Sequence, residues 1–150
     1  HLKIVGGRLL VEACHFVYYL RYLDSSKIVD IFITYLSNQK NNDDFSINLK
    51  FKSGSIGTIH YFANGNKSFP KERIEIFGDN KIIRIDNFRN LQTWGIKGTR
   101  NLNSFTINKG QSECVTEYVN AIKDGNQSPI SFSEILEIHE ILLEINSKSI

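Results

Sequence analysis

Hydrophobic and polar positions follow two rhythms along this chain, and the rhythm changes at identifiable places. Leu9, Leu10, Ala13, Phe16, Val17 and Leu20 recur at helical spacing and predict an amphipathic helix ending near Asp24-Ser25-Ser26. Residues 28–36, IVDIFITYL, are rich in β-branched and aromatic side chains and predict a strand. The polar stretch SNQKNNDD, residues 37–44, predicts a loop. Period two then takes over: Phe45, Ile47, Leu49 and Phe51 alternate with Ser46, Asn48 and Lys50, the pattern of a strand with one buried face. Lys52-Ser53-Gly54-Ser55 predicts a turn, with Gly54 free to take a positive φ. The return through residues 55–63 completes an antiparallel hairpin.

The second half of the chain repeats the alternation in shorter segments. Residues 64–73, NGNKSFPKER, predict a loop, followed by strands at 73–77, 81–86 and 90–96 and a short one at 104–108. Gly78-Asp79-Asn80 predicts the turn between the first two of these. A helix from about Gln111 to Lys123 sets Cys114, Val115, Tyr118, Val119 and Ile122 on one side, and Gly125 stops it. The last helix opens with Ser131-Phe132-Ser133-Glu134, a capping-box pattern, and carries Ile135, Leu136, Ile138, Ile141, Leu142 and Ile145. Helix, strands, then two helices predicts an α+β fold: a two-layer sandwich in which an open, mostly antiparallel sheet has helices packed on one face. Residues 1–150 are expected to form a single domain.

Composition sharpens that picture. With 150 residues, 41% of them hydrophobic, the chain can build a sizeable core. No run approaches the roughly 18 apolar residues of a membrane span, so a soluble, cytoplasmic protein with no membrane partner is expected. The opening HLKIVGGRLL lacks the layout of a signal peptide, yet structure is demanded almost at once, which suggests a piece of a longer polypeptide. Cys14 and Cys114 both fall in apolar helical patterns and are expected as buried free thiols. Neither belongs to a Cys-x-x-Cys pair, which argues against structural zinc. The net charge of +2 divides into +6 for residues 1–100 and −4 for 101–150. The basic residues are scattered through alternating strands and not clustered, which argues against nucleic acid as a partner.

Arg8, Glu12, His15 and Tyr19 are spaced four, three and four apart, which places them on one helical stripe. Such a stripe can form a cleft wall in which Glu12 orients an imidazole able to exchange protons at neutral pH. The ordinary alternative is a solvated stripe with His15 at the rim of the core. Lys67, Lys71 and Arg73 surround a proline-stiffened turn that either holds an anionic or polyhydroxylated ligand or is a plain exposed connection. His60 alternates with Ile59 and Tyr61, and the sequence leaves open whether it lines a site or stands on the sheet surface. His139, inside an apolar helix, reads as structural. The chain contains no G-x-G-x-x-G, no phosphate-binding G-x-x-x-x-G-K-[ST] and no G-x-S-x-G, and its His, Cys and carboxylates show no metal-ligand spacing.

The stretch GGRLLVEACHFVYYLRYL, residues 6–23, resembles the start of the C-terminal domain in the glucose–fructose oxidoreductase / inositol dehydrogenase / MocA oxidoreductase family, in particular a multidomain dehydrogenase-like subgroup. FKSGSIGTIHYFANGNKSFPKERIEIFG, INKGQS and SFSEILEIHE extend the resemblance over nearly the whole chain. The resemblance implies a C-terminal substrate-binding and oligomerisation domain whose N-terminal Rossmann domain, absent here, binds NAD or NADP. It implies an NAD(P)-dependent dehydrogenase acting on a hydroxyl of a sugar, sugar nucleotide or cyclitol, with homo-oligomer contacts through the sheet face. His15 is then the substrate-facing acid/base and Glu12 its orienter. Arg8, Tyr19, Lys67, Lys71 and Arg73 become candidate substrate contacts, and the isolated chain is expected to be inactive. Two positions depart from the family pattern. Val11 stands where many members have an aspartate four residues before the histidine, and Tyr18 where another aspartate follows it by three. These departures support the alternative, a non-catalytic ligand-binding or dimerisation module of the same fold.

Overall fold

A computed structural model describes residues 8–36 and 43–148; the Gly6-Gly7 pair and most of the 37–44 loop lie outside the described residues. The chain divides into two compact units, residues 1–64 with 130–150, and residues 65–129.

In the first unit a wide helical turn, Leu9–Ala13, runs into helix α1, Cys14–Asp24. Three antiparallel strands follow, β1 (Ile28–Tyr35), β2 (Phe45–Phe51) and β3 (Ile56–Tyr61), in the order β1-β2-β3. Registration puts like with like across the sheet. One face carries the rows Tyr35–Phe45–Tyr61, Ile33–Ile47–Ile59 and Ile31–Leu49–Gly57. The other carries Thr34–Ser46–His60, Phe32–Asn48–Thr58 and Asp30–Lys50–Ile56. The first face is the floor of the core, roofed by Leu9, Ala13 and Val17 from the N-terminal helical segment and by Ile138 and Leu142 from the last helix. That gives the expected two-layer arrangement, with helices on one side of an antiparallel sheet. Gly57 permits the close approach: a Cβ there would lie 2.9 Å from Leu20 Cδ1.

Polar contacts close the edges of this unit. Ser25 ends α1 in the left-handed conformation, its amide bonded to the Arg21 carbonyl at 3.0 Å. The Asp24 carboxylate then accepts from the hydroxyls of Ser26 and Ser53, the latter at 2.7 Å, tying the end of α1 to the β2–β3 turn. Gly54 in that turn takes φ of 95°, as its sequence position suggested. Asp44 is buried, and its carboxylate accepts the Asn64 amide at 3.1 Å.

The second unit holds β4 (Arg73–Gly78), β5 (Lys81–Asp86), β6 (Asn90–Trp94), β7 (Leu102–Asn103) and helix α2 (Gln111–Lys123), the strands pairing antiparallel in chain order. The strands therefore form two sheets instead of the one expected. The last strand sits at Leu102–Asn103, not at 104–108. The two-residue turn Asp79-Asn80 has positive φ at both positions, the geometry whose twist matches paired strands, and the three-residue connection 87–89 has positive φ at Asn87 and Phe88. Cross-strand ion pairs Arg73–Asp86 and Arg84–Glu75, each 2.7 Å, lie at registered positions. Gly125 ends α2 as expected: its amide reaches the Ile122 carbonyl and that of Asn126 reaches Ala121, a full Schellman closure. No residue of this unit is buried; all ten core residues belong to the first.

Helix α3, Phe132–Lys148, returns to the first unit. The N-cap forms where the sequence indicated, with the Glu134 amide donating to Ser131 Oγ at 3.2 Å; Glu134 Oε2 accepts from the Ser131 hydroxyl at 2.9 Å instead of from the Ser131 amide of a full capping box. The thiols are free, but Cys14 is half-buried and Cys114 exposed, a correction to the expectation that both are buried. Among the described residues no helix is long and apolar enough to cross a membrane.

Candidate functional site

The stripe predicted for Arg8, Glu12, His15 and Tyr19 assumed a regular α-helix. Its first turn is instead a π turn, Leu9–Ala13, with bonds reaching five residues back. The buried residues explain why. Leu9, Ala13, Val17 and Arg21 repeat every four residues, while an α-helix has 3.6 per turn, so a strict four-spacing drifts about 40° per step. The wide turn takes up part of that drift and keeps Leu9 over the sheet.

Glu12 is the only polar residue within this turn, and both of its oxygens have partners. Tyr61 Oη, at the end of β3, donates to Oε2 at 2.5 Å. Arg8 Nη1 donates to Oε1 at 3.3 Å and to Tyr61 Oη at 3.0 Å. Arg8 Nε lies 3.5 Å from Asp43 Oδ2. The Tyr61 ring is itself fixed, stacked on Phe45 at 5.2 Å with 13° between planes and tilted against Phe16 at 6.5 Å. Burial raises the Tyr61 phenol above its usual range; the bond to Glu12 adds to this and Arg8 opposes it. The Arg8 guanidinium is held more firmly protonated, first by its bond to Tyr61.

His15 comes two residues after the π turn and is exposed, and the carboxylate of Glu12 is engaged by Arg8 and Tyr61 rather than by the imidazole. Tyr19 is half-buried, its phenol raised by desolvation. Desolvation also raises the neighbouring Cys14 thiol. The first unit thus brings Arg8 and Glu12 together and adds Tyr61, which sequence reading missed as a site residue. A signal was available: Tyr61 closes a buried row of the hairpin, and a phenol hydroxyl in such a row needs a partner.

Lys67, Lys71 and Arg73 belong to the second unit. Lys67 is exposed, and Lys71 lies 3.9 Å from Glu72 with its side chain 73% exposed. Arg73 is committed to Asp86. Lys109 Nζ donates to Glu72 Oε1 at 2.7 Å, as short as the Arg73–Asp86 pair. His60 stands on the outer face of β3, hydrogen-bonded to Ser46 Oγ at 2.8 Å and stacked with Phe62, which settles the choice left open by the sequence in favour of the sheet surface. His139 is exposed, its ring on the Ile135 carbonyl of its own helix. Among the described residues no group of three His, Cys, Asp or Glu side chains is placed to hold a metal ion.

No family model and no curated protein matches the sequence. The fold does match solved structures. A UDP-N-acetylglucosamine 3-dehydrogenase from Acidithiobacillus ferrooxidans aligns with a TM-score of 0.72 at 12% identity, over 87% of this chain and 43% of that one. A dehydrogenase from Clostridium difficile aligns at 0.72 and 19%, over 96% and 48%. A levoglucosan dehydrogenase, solved with NADH and levoglucosan, aligns at 0.71 and 16%, over 95% and 49%. The chain spans less than half the length of these structures. The likeness is one of fold, and it is to dehydrogenases, the class to which the sequence resemblance pointed.

Proposed function

We propose that this chain is the C-terminal, substrate-side domain of an NAD(P)-dependent oxidoreductase of the glucose–fructose oxidoreductase / inositol dehydrogenase / MocA family, acting on a hydroxyl of a sugar, sugar nucleotide or cyclitol. The observation that carries this reading is the fold match to dehydrogenases over nearly the whole of this chain and less than half of each of theirs. The residues present suit the substrate side of such a reaction. The sequence has no glycine-rich phosphate loop of its own, whereas an exposed histidine follows, three residues on from Glu12, an arginine–carboxylate–phenol cluster.

A nicotinamide, held by sequence outside this chain, supplies the hydride acceptor when bound. His15 takes the hydroxyl proton as the carbinol carbon loses its hydride, so a carbonyl forms without an unstabilised alkoxide. Arg8 and Tyr19, on the same helical segment, are the candidates to orient substrate hydroxyls; in the second unit Lys67 and Lys71 are candidate contacts to ligand or partner domain, and Arg73 joins them only by leaving Asp86. Homo-oligomers assemble through the outer sheet face, where Phe32 and Ile56 are 66% and 82% exposed.

The test is NAD(P) reduction by the whole protein against a panel of sugars, sugar nucleotides and cyclitols, with His15→Ala alongside. Loss of a positioned proton acceptor is expected to slow turnover by about 10²–10⁴-fold. Equal turnover in the variant overturns the histidine's role. The second reading, a non-catalytic module, is favoured by one observation: Glu12 serves Tyr61 and Arg8 instead of His15. Ligand binding without reduction of either cofactor supports it.

A further inference from the structure

We propose that Tyr61 is a positioning residue for the His15 edge, acting through Glu12: its hydroxyl, with Arg8, holds the turn Leu9–Ala13 in its wide, five-residue form. An isolated π turn is rare, and such turns recur at functional sites. Something must therefore hold this one open. Leu9 and Ala13 are buried at its two ends, so apolar packing favours the wide form as well but fixes no single side-chain contact within the turn. The polar attachment is more discriminating. Glu12 is the turn's single polar side chain, and it is bonded to a hydroxyl whose ring is clamped by Phe45 and Phe16 on a strand of the core sheet. Tyr61 Oη is thus a fixed point, and Arg8 closes the triangle from the turn's other end.

Relaxation of the turn to α form would offset Arg8 and the residues before it by one position relative to α1. One position is about 100° of rotation around the axis. Arg8 would leave Tyr61, and the angle between the Arg8–Glu12 pair and His15 would change. The relative placement of the two halves of the candidate stripe therefore depends on a residue that lies on neither. This inference rests on the proposed function only for what the stripe is used for; the geometry stands without it.

The experiment reads hydrogen-bond partners directly, as scalar couplings between amide nitrogens and carbonyl carbons in the labelled 150-residue chain. Wild type is expected to show amides of the turn coupled to carbonyls five residues back. In Tyr61→Phe these couplings are expected to move to carbonyls four back, while the β2 amides keep their protection from exchange. Glu12→Ala is expected to behave as Tyr61→Phe, and Glu12→Gln, which retains an acceptor oxygen, to keep the wide form. Five-back couplings persisting in both Tyr61→Phe and Glu12→Ala overturn the proposal, leaving the turn to its apolar ends. If Tyr61→Phe does not fold, Glu12→Ala decides alone, because that side chain is only half-buried. No cofactor or substrate enters the measurement, so it can fail while the dehydrogenase reading succeeds, and the reverse.

Discussion

Arg21 of α1 is 7% exposed, and its Nε lies 3.4 Å from Glu137 Oε1 on α3. The same carboxylate oxygen accepts the Ile28 amide at 3.3 Å, and Glu134 stands 3.9 Å from the guanidinium. The buried cation thus joins two helices, and through Glu137 the pair reaches the start of β1. Removing one partner of such a pair leaves the other in poor solvent. Arg21→Ala is expected to lower stability by about 3 kcal/mol, at the low end for buried pairs because Glu137 keeps some contact with water. Arg21→Met, which retains an apolar stem, is expected to cost less. Urea unfolding of the two variants checks the order.

Asp24 sets an acid limit on the first unit. Its carboxyl is held below the ordinary value of 3.8, first by the Ser26 hydroxyl; desolvation opposes this, and the Ser53 and Ser55 hydroxyls add to the lowering. A carboxyl with a depressed native pKa binds protons more weakly when folded than when unfolded. Its stabilisation is therefore complete above the unfolded value and drains away as pH falls through the lower native one. Asp24→Asn is expected to be less stable than wild type at neutral pH. The gap should narrow as pH falls below 3.8, read from thermal melts across that window.

Gly95 is irreplaceable for two separate reasons. Its φ is +72°, and a Cβ there would meet the Asn80 carbonyl oxygen at 2.3 Å. The obstacle is backbone and cannot swing aside. Gly95→Ala is expected to destabilise the second unit by about 2 kcal/mol or more, summing left-handed strain and overpacking. Trp94, the only tryptophan, is the adjacent residue, so its fluorescence during denaturation reports this unit directly.

His15→Ala provides a control for the turnover assay. An exposed side chain outside the core contributes little to folding, and the expected change is within about 0.5 kcal/mol. A large loss of stability in that variant would mean the imidazole supports the helix, and its kinetic effect would need another explanation.

Much of this architecture was legible in the sequence because the signals were local. The period-two run from Phe45 to Phe51, the turn at Gly54, the Gly125 stop and the Ser131–Glu134 cap each depend on residues within a few positions. What escaped was set by distant partners. Arg21 reads as an ordinary polar helix residue until Glu137, more than a hundred positions away, is brought against it. Tyr61 reads as a strand aromatic until Glu12 arrives. The π turn looks like α-helix in spacing, and only the strict four-residue repeat of Leu9, Ala13, Val17 and Arg21 hints otherwise. The division of strands into two sheets left no local trace, because every strand pair is still a simple sequential neighbour. For the candidate site, Arg8 and Glu12 were found together, but the orienting partner assigned to Glu12 was one that the sequence placed nearby, not the one supplied by the folded chain.

The core has an awkward order of assembly. Ile138 and Leu142 roof a floor laid down by residues 28–61, and the whole second unit is made in between. A nascent chain leaving the ribosome must therefore carry its hairpin half-roofed, covered by Leu9, Ala13 and Val17 but not by Ile138 and Leu142, until α3 emerges. Chaperone dependence during synthesis, and aggregation of any product truncated before residue 138, follow from that delay.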